Sequence, residues 1–143
     1  MPGNYVATST ILIDAPTSQV WSIITDPDSI QEFMFGTTVV TDWAVGSPIN
    51  WRGEWKGKAY EDKGVILAVE PGKRLVHTHF SPLSGQADVP ENYHTLTWTL
   101  ENKADKTKLT LSQDNNASAE EAEHSKGMWD SLVQGVKTVA ERS

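Results

Sequence analysis

Three histidines of this chain have the spacing to act together. His77 and His79 lie two residues apart in a segment that reads as a strand, so their side chains share one face. If the next strand pairs with His94 opposite His79, three imidazoles approach one another. Such a group could hold a transition metal or act as acid and base toward a bound molecule. The sequence is therefore compatible with two kinds of chemistry at one site, metal binding and acid–base catalysis.

The inward-facing neighbours of these histidines argue against a metal. Leu75, Leu96 and Trp98 are predicted to share their face and are apolar. They offer no carboxylate to orient an imidazole or to offset the charge of a dication. We therefore expect no metal and no cofactor. We expect the histidines to line a pocket, where they bind tryptophan N–H groups, water or a ligand.

Other catalytic arrangements lack a candidate. Glu54, Glu61 and Asp62 are predicted to lie beside turns at the surface, which leaves no inward pair of carboxylates. No serine has the flanking glycines of a nucleophile elbow, and no dinucleotide or phosphate-loop motif is present. The chain has no cysteine, which excludes disulfides and thiolate chemistry. We name no catalytic residue, and the sequence does not decide whether the protein is an enzyme.

The elements that must position these residues follow from turn and helix signals. A strand is predicted over 5–13, followed by a short helix that begins at Pro16. A second short helix begins at Pro27, after Asp26 as its N-cap. Strands and turns then continue as far as Gln113.

Three later segments carry clear signals for the rest of the predicted fold. A strand is predicted over 37–43, and 92–100 alternates apolar residues with threonines, which is typical of an antiparallel sheet with one wet face. Ser118 and Glu121 form a capping box that opens a helix to about Arg142, roughly 36 Å long. The order is one strand, two helices, six strands and a long helix, and the fold class is α+β.

Charge and composition exclude several partners. Lys and Arg number 12 and Asp and Glu 19, and the resulting net charge of −7 repels a phosphate backbone, so we expect no nucleic-acid partner. No apolar run approaches the ~20 residues that cross a bilayer, and the N-terminal residues show no signal peptide. We expect no membrane insertion, a cytoplasmic location and a single domain over 1–143.

An ordered set of short motifs resembles a known superfamily over essentially the whole chain. The motifs are IDAP at 13–16, VW at 20–21, TDP at 25–27, VGSP at 45–48, GVIL at 64–67, EP at 70–71, RL at 74–75 and GMW at 127–129. The chain resembles the START-like helix-grip (SRPBCC) superfamily. Within it, the chain is similar to the C-terminal domain of the activator of heat-shock protein 90 ATPase.

This resemblance implies a fold and a pocket, without implying a reaction. It implies a seven-stranded, curved antiparallel sheet with two short helices after the first strand. The long C-terminal helix would lie over the concave face and enclose a hydrophobic pocket. Members range from lipid carriers and hormone receptors to polyketide cyclases.

The pocket is where we expect a ligand, because a mostly apolar cavity with a few polar groups is how small-ligand sites are built. Strand parity and the apolar stripe of the last helix give its lining. The residues predicted to bind the ligand are Phe33, Trp51, Trp55, His77, His79, His94, Trp98, Met128, Trp129 and Val133. The alternative is that these side chains form a packed core without a cavity.

Three functions follow from these observations. The first is non-enzymatic binding of a small hydrophobic or aromatic molecule. The second is a co-chaperone-like interaction module whose partner is a chaperone ATPase of the heat-shock class. The third is a cyclase or dehydratase that uses the pocket histidines as acid–base groups.

Overall fold

The computed structural model describes residues 5–34, 36–55, 57–82 and 85–142, with only the backbone of Trp55. Within these residues, seven strands and three α-helices follow one another in the predicted order. The elements are β1 (Tyr5–Ile13), α1 (Thr17–Ile24), α2 (Pro27–Phe33), β2 (Thr38–Val40), β3 (Pro48–Trp55), β4 (Lys58–Glu70), β5 (Arg74–His79), β6 (His94–Lys103), β7 (Lys106–Asn116) and α3 (Ala119–Arg142).

The first two helices are set by their N-terminal residues. Pro16 is extended and stands as the N-cap of α1, so the helix begins one residue later than predicted. Asp26 caps α2 as predicted, and its carboxylate accepts a hydrogen bond from the backbone N–H of Ser29 at 3.2 Å. That bond satisfies one of the free N–H groups at the helix start.

The strands form one antiparallel sheet in the order β1-β7-β6-β5-β4-β3-β2. This arrangement confirms the predicted helix-grip fold, with the long α3 against the inner face of a curved sheet. The first strand lies at one edge beside β7, and the short β2 lies at the other edge. The strands that carry the histidines and tryptophans, β3 to β6, are therefore neighbours in the sheet.

Helix α3 is held to the sheet by an apolar stripe and by polar contacts along its length. Its buried residues are Trp129, Leu132, Val133, Val136, Val139 and Ala140. The hydroxyl of Ser9 on β1 donates to Asp130, and the amide of Gln19 on α1 donates to the Ala140 carbonyl oxygen at 2.8 Å. These contacts fix the helix across β1 and α1.

The N-terminus of α3 shows half of the predicted capping box. The Ser118 hydroxyl accepts from the backbone N–H of Glu121 at 3.0 Å, as the motif requires. The Glu121 carboxylate accepts from the N–H of Ala117 instead of that of Ser118. Both side chains therefore accept from backbone N–H groups at the start of α3, but the N–H that Glu121 binds is one residue earlier than in a capping box.

The strand predicted over 37–43 is shorter in the structure. Strand β2 covers Thr38–Val40 only, and Trp43 has a φ of 61°. A positive φ is incompatible with extended strand geometry, so the ladder with β3 cannot continue through Trp43. Among the described residues, no helix is both long enough and apolar enough to span a bilayer.

Candidate functional site

The inner face of the sheet brings the predicted aromatic residues together. Trp51 on β3 has its ring centroid 5.1 Å from the ring of His77 and 5.1 Å from the ring of His79, both on β5. The Trp98 indole N–H donates to Nε2 of His77 at 3.1 Å. Trp51 and Trp98 therefore lie on the same face of the sheet, as strand parity predicts, with His77 between them.

Both ring nitrogens of His77 are occupied by protein partners. Because the Trp98 N–H can only donate, Nε2 of His77 accepts, and its proton lies on Nδ1, which donates to the Thr78 carbonyl oxygen at 3.0 Å. Burial, with a smaller contribution from the neighbouring His79 and against the opposing effect of the bond to Thr78, lowers the pKa of His77 to about 4. His77 is thus a neutral, fixed residue that holds Trp98 in place.

His79 is paired with a carboxylate. Its Nε2 lies 3.0 Å from Oδ2 of Asp62, and the side chains keep 20% and 18% of their surface exposed. The sequence-based expectation that Asp62 lies at the surface beside a turn is wrong, because β4 starts at Lys58 and Asp62 lies within the strand. Asp62 stands opposite Trp51 in the ladder, on the inner face.

Two atoms of this pair are buried without a protein partner. Oδ1 of Asp62 and Nδ1 of His79 are closed to solvent and have no hydrogen-bond partner within the part of the chain that the structure describes. An unsatisfied buried polar group costs roughly 1–3 kcal/mol. The exposed remainder of both side chains places the pair at the border of the interior.

A glycine allows β4 and β5 to approach at this point. A Cβ on Gly64 would lie 1.9 Å from the backbone oxygen of Thr78, a distance that no side chain tolerates. Gly64 shares its face with Asp62, two residues before it, and Thr78 precedes His79. The close backbone approach therefore lies beside the carboxylate and the imidazole.

A tyrosine that the sequence reasoning did not select completes this edge. The Tyr60 hydroxyl lies 2.7 Å from the hydroxyl of Thr37, and its ring crosses Gly53 on the neighbouring strand. Tyr60 shares parity with Asp62 on β4. That parity, continued back from the apolar residue Ile66, is the signal in the sequence that could have placed both side chains inside.

His94 stands opposite His79 in the ladder between β5 and β6, as the histidine hypothesis requires. Its Nδ1, however, lies 2.8 Å from the backbone oxygen of Asp114 on β7. Among the residues that the structure covers, no three His, Asp or Glu side chains are grouped so that they could hold a metal ion. His94 borders the pair without bonding to it.

The helices supply the opposite wall. Phe33 of α2 meets the Trp98 ring edge-on at 6.4 Å, and Val133 of α3 is buried. The Trp129 indole N–H donates to Oε1 of the buried Gln113 on β7 at 3.2 Å. Gln113 is a second inner polar residue that the sequence reasoning did not select, although β7 parity with Leu111 would have placed it there.

Two of the predicted ligand residues, Met128 and Trp55, are not seen at the inner face. Met128 is 52% exposed, so it does not face the sheet as expected. The adjacent Trp129 occupies the inner face, and successive helical residues point about 100° apart. The side chain of Trp55 lies outside the described residues.

Two surface clefts lie away from this cluster. One, of about 560 Å³, lies between the β4–β5 turn and β6, and includes Lys73 and Asn102. The other, of about 580 Å³, lies between the outer side of β3 and β4 and the segment that follows β5, and includes Lys63 and Asp88. Neither is lined by the predicted ligand residues, and the cavity that they were predicted to line stays a prediction.

Comparisons with known proteins agree with this architecture. A protein from Cytophaga hutchinsonii, ChR145, has a solution structure 46% identical in sequence, covering 99% of this chain and 97% of its own, with a TM-score of 0.86. The Aha1 dimer from Colwellia psychrerythraea is 16% identical, covers 96% of each chain and has a TM-score of 0.74.

A third solved structure shares the fold alone. DynU16, from the dynemicin biosynthetic locus, is 19% identical, with a TM-score of 0.77 over 93% of this chain and 46% of its own. A search among curated proteins finds no match. The family model described as Activator of Hsp90 ATPase homolog 1-like protein matches residues 14–141. Because that model spans almost the whole chain, the chain belongs to the Activator of Hsp90 ATPase homolog 1-like family.

Proposed function

We propose that this protein binds a small hydrophobic or aromatic molecule between the sheet and helix α3, at the Asp62–His79 pair. One observation carries the proposal: Oδ1 of Asp62 and Nδ1 of His79 are buried without a protein partner in the described structure. Buried polar atoms in native proteins are almost always paired. A ligand with a hydrogen-bond donor would satisfy them.

The surroundings of the pair favour an aromatic ligand. The Trp51 ring contacts His79 edge-on, and beyond it lie His77, Trp98 and Phe33. Aromatic faces and edges attract another ring through dispersion and their quadrupoles. The combination of a few polar atoms and an apolar, aromatic wall is the usual composition of a small-ligand site.

One structural relative and the sequence are consistent with a small-molecule-binding domain. DynU16 belongs to a biosynthetic locus, which is consistent with a role of this fold close to small molecules. We include in the proposal the single domain over 1–143 and the cytoplasmic location expected from the sequence. The proposed function is binding without an assigned reaction.

Native mass spectrometry of protein purified without denaturation tests the proposal. We expect a fraction of the wild-type protein to carry a small molecule. Asp62→Leu, which removes the inner carboxylate while keeping its approximate size, is expected to reduce that fraction about tenfold or more, since a lost charge-assisted hydrogen bond costs about 1.5–3 kcal/mol. Glu61→Gln is the matched control, because Glu61 is the neighbour on the outer face and is exposed.

A second candidate, docking on a chaperone ATPase, is favoured by one surface feature. Val65 and Leu67 of β4 point to the outer face and are 40% and 46% exposed, so they form an apolar pair open to a partner. The family's description names an Hsp90 ATPase activator. Two results together would favour this second function over the first. The wild type and every variant would carry no small molecule, and the protein would raise the turnover of a heat-shock ATPase.

A further inference from the structure

His79 differs from the other histidines of the site in what its ring nitrogens bind. His77 uses both nitrogens on protein groups, and His94 bonds to the backbone of Asp114. His79 alone among these three pairs with a carboxylate and keeps its second nitrogen buried and without a described protein partner. A histidine oriented in this way by a carboxylate is the arrangement that enzymes use to accept a proton.

The tautomer of His79 follows from its partner. An ionised carboxylate can only accept hydrogen bonds, so the ring proton lies on Nε2 and is donated to Oδ2 of Asp62. Nδ1 then carries the lone pair and is an acceptor. The two unpaired atoms of the pair are both acceptors, which means that a fitting ligand must bring a donor.

We propose that the Asp62–His79 pair accepts the proton of an acidic hydroxyl, a phenol or an enol, on the bound aromatic ligand. This inference rests on the proposed function, since it names the class of ligand for that site. It adds an acid–base role that binding alone does not require.

The proton transfer balances with the groups present. The ligand O–H bond breaks, its electron pair stays on the ligand oxygen, and the proton forms a bond to Nδ1 of His79. The resulting imidazolium keeps its Nε2–H on the Asp62 carboxylate, whose charge stabilises it. The site and ligand together carry one negative charge before and after the transfer.

The chemistry of the site selects phenols and enols over other donors. An aliphatic alcohol is too weak an acid for imidazole to deprotonate, because proton transfer is efficient only between groups of similar acidity. A phenol also offers the flat ring that suits the edge of Trp51. Among the described residues, the ionisable groups on the same face of the sheet as the pair are His77, which is neutral, Tyr60 on β4 and His94 across the ladder.

The absorbance of 4-nitrophenol provides a direct test, because its phenolate absorbs visible light and the neutral phenol does not. The dye is added to the protein at a fixed pH low enough to keep the free dye mostly protonated. We expect the phenolate band to appear on binding to the wild type. Asp62→Asn is expected to reduce the bound phenolate-to-phenol ratio by about tenfold or more, the equivalent of one pKa unit, and His79→Gln to abolish the band.

Two controls separate the proton transfer from the binding itself. Glu61→Gln, on the outer face of the same strand, is expected to leave the band unchanged. The ether 4-nitroanisole has the same ring without the acidic hydrogen, and its affinity for the wild type and for Asp62→Asn is expected to agree within about threefold, which is under 1 kcal/mol. Circular dichroism checks that each variant is folded.

The outcomes separate the two proposals. If 4-nitroanisole binds and 4-nitrophenol binds as the neutral phenol, the acid–base role is wrong and the binding function stands. If neither compound binds the wild type, both proposals fail. A phenolate band of equal strength in wild type and His79→Gln would assign the proton to another group and overturn the inference.

Discussion

Replacing Leu132 with alanine is expected to lower the free energy of unfolding by about 2–5 kcal/mol, the cost of a large-to-small change at a buried site. Leu132 lies in the buried stripe of α3, which covers the inner face of the sheet and packs on β1, α1 and α2. The change removes apolar contacts and leaves a cavity under the helix. Urea unfolding of the wild type and Leu132→Ala measures this change in the free energy of unfolding directly.

The matched control for this prediction lies two residues further along the same helix. Gln134 is exposed, so Gln134→Ala is expected to change stability by less than about 0.5 kcal/mol. A shift of that small size for Leu132→Ala would show that α3 is peripheral to the core, in conflict with the packing described above.

Lowering the pH from about 6.5 to about 4 is expected to remove about 3 kcal/mol of stability through His77 alone, at 1.36 kcal/mol per pKa unit. Burial lowers the pKa of His77 from 6.5 to about 4 in the folded protein. Between these values the unfolded chain binds a proton that the folded chain does not. The contribution is therefore complete above pH 6.5 and is lost as the pH falls to 4.

A glutamine at position 77 isolates this contribution, because its amide can accept from Trp98 and donate to Thr78 without titrating. The stability of the wild type relative to His77→Gln is expected to fall by about 3 kcal/mol over the same pH range. Carboxylates elsewhere titrate in both proteins and cancel in the difference. A difference that stays constant with pH would mean that His77 is solvated or already charged in the folded state.

The fold followed from the sequence because its signals are local. The Asp26 cap, the prolines at the starts of α1 and α2 and the apolar stripe of α3 each act within one or two turns of helix. The end of β2 did not follow, because it depends on the positive φ of Trp43. The residues around Trp43 do not signal a positive φ, since asparagine or glycine is the usual residue in that conformation.

The site was predicted in part. The shared face of Trp51 and Trp98 follows from strand parity. The pairing of His79 with His94 was a register that the sequence allowed without fixing, and the structure shows it. The carboxylate of Asp62 was missed because the residues from Lys58 to Lys63 are mostly polar and resemble a turn. Their inward parity becomes visible only when β4 is extended back through them and Asp62 is set against Trp51.

A crystal structure of the protein soaked with 4-nitrophenol is the most direct test of the central claim. We expect the ring between the sheet and α3, next to Trp51, with its oxygen within hydrogen-bond distance of Nδ1 of His79 or Oδ1 of Asp62. A dye that binds on the outer face, or an interior in which both atoms bond to protein groups and no ligand enters, would contradict it.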